Sequence, residues 1–177
     1  VLGIDPGLVA TGYGLLGSAG AGVSVLATGV IATSAALPLD ARVQTVYDGV
    51  LAVVDRLAPE LMVLEDLYAE YRFPRTALMM AHVRGVICLA ARQRGVALLA
   101  IAPGEVKRAV AGHGAASKLQ VQHGMRRLLN LVALPTPSHV ADALALAFTG
   151  YSRAGGRLGA AGRPGGGAAR AAHMRRT

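Results

Sequence analysis

Two short runs of uninterrupted apolar residues, each stopping at a carboxylate, constrain this chain more than any other feature. Val1-Leu2-Gly3-Ile4 ends at Asp5-Pro6-Gly7, and Leu61-Met62-Val63-Leu64 ends at Glu65-Asp66. A run without polar alternation suits a strand covered on both faces, as in a sheet sandwiched between helix layers. Val96 to Ile101 has the same character and predicts another buried strand. Thr11 to Leu16 and Val23 to Ile31 read as two more strands joined by a turn over Gly17 to Gly22, so the first three strands are expected to run consecutively antiparallel. Val43, Val46, Tyr47, Val50, Val54 and Leu57 recur at helical spacing, which predicts a core-facing helix from Leu39 until Pro59 stops it. Further helices are expected over Pro74 to Arg94, around Glu105 to Val110, from about Ala116 to Leu131, and from an N-cap at Ser138 to about Gly150. Five strands interleaved with helices in this order indicate an α/β domain with a mixed sheet.

The charge is unevenly placed. The 177 residues carry a formal +8, but residues 1–103 hold 7 basic and 8 acidic side chains while residues 104–177 hold 11 and 2. A chain polarised in this way has a polyanion or an anionic surface as its expected partner. Part of the excess falls in residues 154–177, a stretch of Gly, Ala and Arg that cannot build a core and reads as a flexible basic tail behind a single domain over residues 1–153. Although 53% of positions are hydrophobic, no apolar run reaches the roughly 18 residues a membrane span needs. The lone Cys88 excludes a disulfide framework within one chain, and no basic leader precedes the first strand. These features point to a cytoplasmic protein with no membrane partner.

Asp5 and Glu65 each follow a strand directly, so if the two strands are neighbours both carboxylates emerge at one sheet edge. His139 and Asp142 are three apart at the start of the last helix and share a face. Three carboxylates and an imidazole meeting at one point would need a cation between them. Oxygen-dominated ligation suits Mg²⁺ or Mn²⁺, and the histidine tilts the preference toward Mn²⁺. On spacing alone each residue also has an ordinary reading: a turn for Asp5, solvated strand-end charge for Glu65 and Asp66, a surface position for His139, and an acid favoured near a helix N-terminus for Asp142.

Gly3-Ile4-Asp5-Pro6-Gly7 followed by Thr11-Gly12-Tyr13-Gly14 resembles the opening of the RuvC-type Holliday junction resolvases, members of the ribonuclease H-like superfamily. Leu64-Glu65 with Tyr68 and then Ala81 to Gly85 is similar to that family's second acidic strand and its following helix. Pro103 to Gln122, with Val106-Lys107, Gly112-His113-Gly114 and Lys118-Leu119-Gln120-Val121-Gln122, resembles its junction-binding segment. Pro137 to Ala145 resembles its terminal catalytic helix. The likeness covers about residues 1–153. It implies a ribonuclease H-like sheet with helices on both faces and a crossover junction endodeoxyribonuclease that resolves four-way DNA junctions by paired symmetric nicks in recombination and repair. It also implies that Asp5, Glu65, His139 and Asp142 bind two Mg²⁺ or Mn²⁺ ions and carry catalysis, with Asp5 bridging them. Many members have Asp where this chain has His139, which leaves the metal preference open. Tyr68 matches an aromatic that stacks at the opened crossover, and Lys107 and Lys118 match basic residues near the scissile phosphate. A homodimer and a branch-migration motor complex are the partners the resemblance implies.

Beside the matched positions, Arg108 adds charge to the Gly-rich segment. Arg72 and Arg75 interleave with Tyr68, Tyr71 and Phe73, a mixture suited to unpaired bases because aromatic faces stack while arginine holds the backbone. Two other functions compete. An Asp-x-Gly turn after a first strand also occurs in phosphate clamps of actin-like ATPases and sugar kinases, but this chain lacks the length and second phosphate loop they require. A junction-binding module without activity would keep Lys107 and Lys118 and need not keep four candidate ligands.

Overall fold

The computed structural model describes residues 1–19, 22–66 and 74–155. The expected α/β architecture is present: a five-stranded mixed sheet with helices on both faces. Strand β1 (Leu2–Asp5) occupies the centre of the order β3-β2-β1-β4-β5. On one side it pairs antiparallel with β2 (Ala10–Ala19), which pairs antiparallel with β3 (Gly22–Ala32). On the other it pairs parallel with β4 (Leu61–Glu65), which pairs parallel with β5 (Ala97–Ile101). The helices are α1 (Leu39–Leu57), α2 (Pro74–Gln93), α3 (Pro103–Ala111), α4 (Lys118–Leu128) and α5 (Ser138–Arg153). No helix among the described residues is long and apolar enough to cross a membrane.

Strand alternation sorts the two cores. Leu2 and Ile4 of β1 turn the same way as Met62 and Leu64 of β4 and pack against Val46, Val50 and Val54 of α1 and Val83 and Ile87 of α2. Val63 has the opposite parity and joins the core built with α3, α4 and α5. Gly3 lies beside Val63 in the parallel ladder, so Asp5 and Glu65, two positions further on, both belong to the α5 side of the sheet.

Helix α5 sits unusually close to that side. A Cβ on Gly3 would stand 2.0 Å from the Ala143 carbonyl oxygen, and one on Gly12 would stand 2.3 Å from the His139 carbonyl oxygen. Small residues answer from the helix, where Ala141, Ala143, Ala145 and Ala147 are fully buried or nearly so. Glycine at positions 3 and 12 is therefore a matter of space for backbone on backbone.

The structure corrects several local expectations. The turn expected over Gly17 to Gly22 is much shorter, because Gly17 and Ser18 continue β2 and pair with Ser24 and Val23. The side chain of Leu26 lies over Gly17, where a Cβ would meet it at 2.5 Å, and this cover lets a glycine serve in a strand. β5 is an edge strand with Leu98 exposed rather than a buried one, and among the described residues no strand pairs beyond it. Ser138 is the first helical residue of α5 and not its cap. Pro137 takes that role with extended backbone, and its carbonyl accepts the Val140 N–H at 2.9 Å. α4 is shorter than expected because Ser117 caps it in a capping box with Gln120.

Candidate active site

Asp5, Glu65, His139 and Asp142 line one cavity of about 400 Å³, together with Lys107 and Lys118. The four candidate ligands are thus brought together from three separate elements. β1 and β4 deliver Asp5 and Glu65 at their C-terminal ends. The first turn of α5 delivers His139 and Asp142 on one face, pressed to the sheet by the approach over Gly12. Lys107 comes from the middle of α3 and Lys118 from the first turn of α4, and both line the cavity.

Apolar walls enclose the acids: Pro6, Met80, Val106, Val121 and Leu146 line the same cavity. Burial consequently raises the Asp5 carboxyl above its ordinary value; the hydrogen bond from His139 opposes the rise and the charge of Asp142 adds to it. Glu65 is raised first by burial and then by the negative charges of Asp5 and Asp142, against the pull of Lys107 and Lys118. Asp142 is raised by burial and held back by Lys118, His139 and Lys107. His139 Nδ1 and Asp5 Oδ2 share a hydrogen bond of 2.6 Å.

Three half-buried carboxyls displaced in the same direction mean that the folded chain holds protons which the unfolded chain has released, so stability falls as pH rises. Without divalent cation, the melting temperature should drop relative to that of Asp5→Asn as pH climbs above 3.8, the ordinary value for Asp5. Taking the difference between the two proteins in a fluorimetric melt series removes the other titrating groups. A wild-type melting temperature that gains on the variant across this range would contradict the burial penalty on Asp5.

The donor set of three carboxylates and one imidazole fits a hard divalent cation. As they stand, no three or more His, Cys, Asp or Glu side chains among the described residues are gathered tightly enough to hold an ion. Asp5 is hydrogen-bonded to His139 instead.

Of the other expected contacts, Arg108 is exposed on α3 and does not line the cavity. Arg75 falls in the first turn of α2, where only the backbone is described. Tyr68, Tyr71, Arg72 and Phe73 lie outside the described residues. One supporting residue went unread in the sequence. Thr11 is completely buried, its Oγ1 donating to the Gly7 carbonyl at 2.8 Å and accepting the Gly7 N–H at 3.3 Å. It fixes the loop that follows Asp5, and a threonine among the glycines of β2 was the available signal.

The family profile described as crossover junction endodeoxyribonuclease RuvC matches residues 1–150. A RuvC from Rhodopirellula baltica is 40% identical over 151 residues, 85% of each chain. A Thermus thermophilus RuvC solved in complex with a Holliday junction substrate is 38% identical, with a TM-score of 0.79 over 87% of this chain and 94% of that one. A second structure of the Thermus thermophilus protein gives 37% identity and a TM-score of 0.76, covering 87% of this chain and 95% of the other. The sheet order, the helix layers and these likenesses carry the ribonuclease H-like expectation, and the chain belongs to the RuvC family of crossover junction endodeoxyribonucleases.

Proposed function

We propose that this chain resolves four-way (Holliday) DNA junctions by paired symmetric nicks, hydrolysing one phosphodiester on each of two opposed strands during recombination and repair. The observation that carries this reading is the meeting of four candidate metal ligands and two lysines around one cavity in a chain of this family. Asp5, Glu65, His139 and Asp142 are the residues that would hold Mg²⁺ or Mn²⁺, two ions per site. Bound there, such ions activate water and offset the charge of the scissile phosphate.

The chain's own residues do the rest. Lys107 and Lys118 draw phosphate oxygens into the cavity and favour the ionised form of Glu65 and Asp142. His139 steadies Asp5 through its hydrogen bond. The apolar walls raise the cost of leaving the acids ionised without a cation. Arg108, exposed beside this site, holds phosphates of a flanking duplex. Tyr68 stacks on a base unpaired at the crossover, with Arg72 and Arg75 on the backbone around it.

A four-way junction has two-fold symmetry, so two nicks require two identical sites and a homodimer. Leu78 and Leu89 of α2 are exposed apolar residues, which supports this helix as the interface. Family membership supports a branch-migration motor complex as a further partner and the cytoplasm as the place of action.

Incubating the protein with a synthetic four-way junction and Mg²⁺ or Mn²⁺ should give symmetric nicks and ligatable duplexes. Cleavage of linear duplex at the same rate would overturn the junction selectivity. Lys107→Ala and Lys118→Ala should each weaken junction binding and lower the salt slope by about one ion, as for single phosphate contacts. Unchanged slopes in both variants would make the lysines mere surface charge.

A further inference from the structure

We infer that Arg84 is a positioning residue that fixes the end of β4, and with it Glu65, for metal binding. The inference rests on the reading of Glu65 as a metal ligand. β4 is laddered to β1 only as far as the pair Ile4 and Leu64, so Glu65 lies one residue past that support. From the other side it is held by β5, where Glu65 pairs with Ile101 and the Asp66 N–H donates to the Ile101 carbonyl at 2.8 Å. On the helical side Arg84 of α2 closes the gap. Its Nη1 donates to the Glu65 carbonyl, and its Nη2 stands 3.7 Å from Asp66 Oδ1.

Strand alternation makes this grip possible. Consecutive residues face opposite sides, so Glu65 turns to α5 and the cavity while Asp66 turns to α2 and meets the guanidinium. The Arg84 side chain is only 16% exposed, against 52% for Asp66. A planar fork holds two acceptors at a fixed separation, which an ammonium on a flexible stem does not. The charges acting on the Glu65 carboxyl are those of Asp5, Asp142, Lys107 and Lys118. Arg84 therefore works through the backbone, and the acidic residue beside Glu65 has a purpose as its second handle.

Groups that orient a metal ligand commonly change affinity by about 10–100-fold when removed. The test is Mn²⁺ binding to the full chain without DNA, followed by calorimetry, beside the Mn²⁺ dependence of junction nicking and junction affinity in Ca²⁺. Arg84→Met should bind Mn²⁺ roughly tenfold more weakly and shift half-maximal nicking to higher Mn²⁺, while the rate at saturating Mn²⁺ and the junction affinity stay near wild type. A general loss of structure would instead lower the rate at every Mn²⁺ concentration. Arg84→Lys, which keeps the charge and loses the fork, should fall between the two. Wild-type Mn²⁺ affinity in Arg84→Met overturns the inference, and if that variant does not fold, wild-type affinity in Arg84→Lys does so. Glu65→Gln separates the two readings. Should it bind Mn²⁺ normally, Glu65 is no ligand; should it lose Mn²⁺ while both Arg84 variants keep it, only the positioning role fails.

Discussion

Asp5→Asn should abolish nicking and at the same time make the metal-free protein more stable. Asp5 lies on the central strand among the charges of Glu65 and Asp142, and burial penalises its ionised form. An amide of the same shape keeps the packing and removes the penalty, so the melting temperature should rise by about 2–4 °C, the equivalent of roughly 1 kcal/mol in a chain of this size. The same change removes a charged ligand at the centre of the donor set. Nicking should fall by about three orders of magnitude or more, matching the several kcal/mol that metal-borne charge stabilisation supplies. Junction binding, made mainly through phosphates held by Lys107, Lys118 and the basic surface, should change little. The checks are a thermal melt without divalent ion, a single-turnover nicking assay and a junction titration. Substantial residual nicking would remove Asp5 from the metal site, and a lowered melting temperature would mean that its bond with His139 outweighs the crowding.

Gly12→Ala should damage both fold and site, although it adds only a single uncharged methyl group, at the position paired with Asp5 in the ladder of β1 and β2. The new Cβ would meet the His139 carbonyl oxygen at 2.3 Å and the His139 Cβ at 2.8 Å. Backbone cannot swing aside as a side chain can, so the start of α5 must lift from β2 at a cost of about 1–3 kcal/mol. His139 and Asp142 travel with that turn. Nicking should therefore fall by more than the loss of folded protein explains, even well below the melting temperature. Gly14→Ala is the control, because its Cβ would meet chiefly the side chain of Leu144, with the nearest atom at 2.8 Å. That neighbour can change rotamer, and activity should survive better. Equal effects of the two substitutions would show that the docking of α5 is not what sets the ligand geometry.

The sequence displayed the strands that carry Asp5 and Glu65 because a run buried on both faces leaves no polar residue until the chain leaves the sheet. It displayed the pair on α5 because helical spacing is local. That all four would share a cavity was not legible from periodicity: spacing left each with an ordinary alternative, and only the family resemblance joined them. The parity of β1 and β4 does place Asp5 and Glu65 on the same side, but only once the parallel register of Gly3 with Val63 is known. Asp66 was read as a solvated neighbour, since nothing local announces a partner on α2. The grip of Arg84 depends on tertiary packing across 18 residues of chain, and the fit of Gly12 under His139 on packing across most of the domain. The helix start at Ser138 was misplaced by one residue because serine is the commoner cap, whereas proline's fixed φ already supplied the extended backbone before the first turn.

The candidate site is joined from the two ends of the domain, His139 meeting Asp5 across 134 residues of sequence. During synthesis β1 and β4 leave the ribosome long before α5 does, and the sheet side they share remains uncovered until that helix arrives. A nascent or clipped chain ending before Ser138 has two of the four candidate ligands and no closed cavity. On the proposed reading of the four ligands, such a fragment should not cut DNA. On that reading, completion of the fold and competence to cleave arrive together, when α5 docks and brings His139 to Asp5.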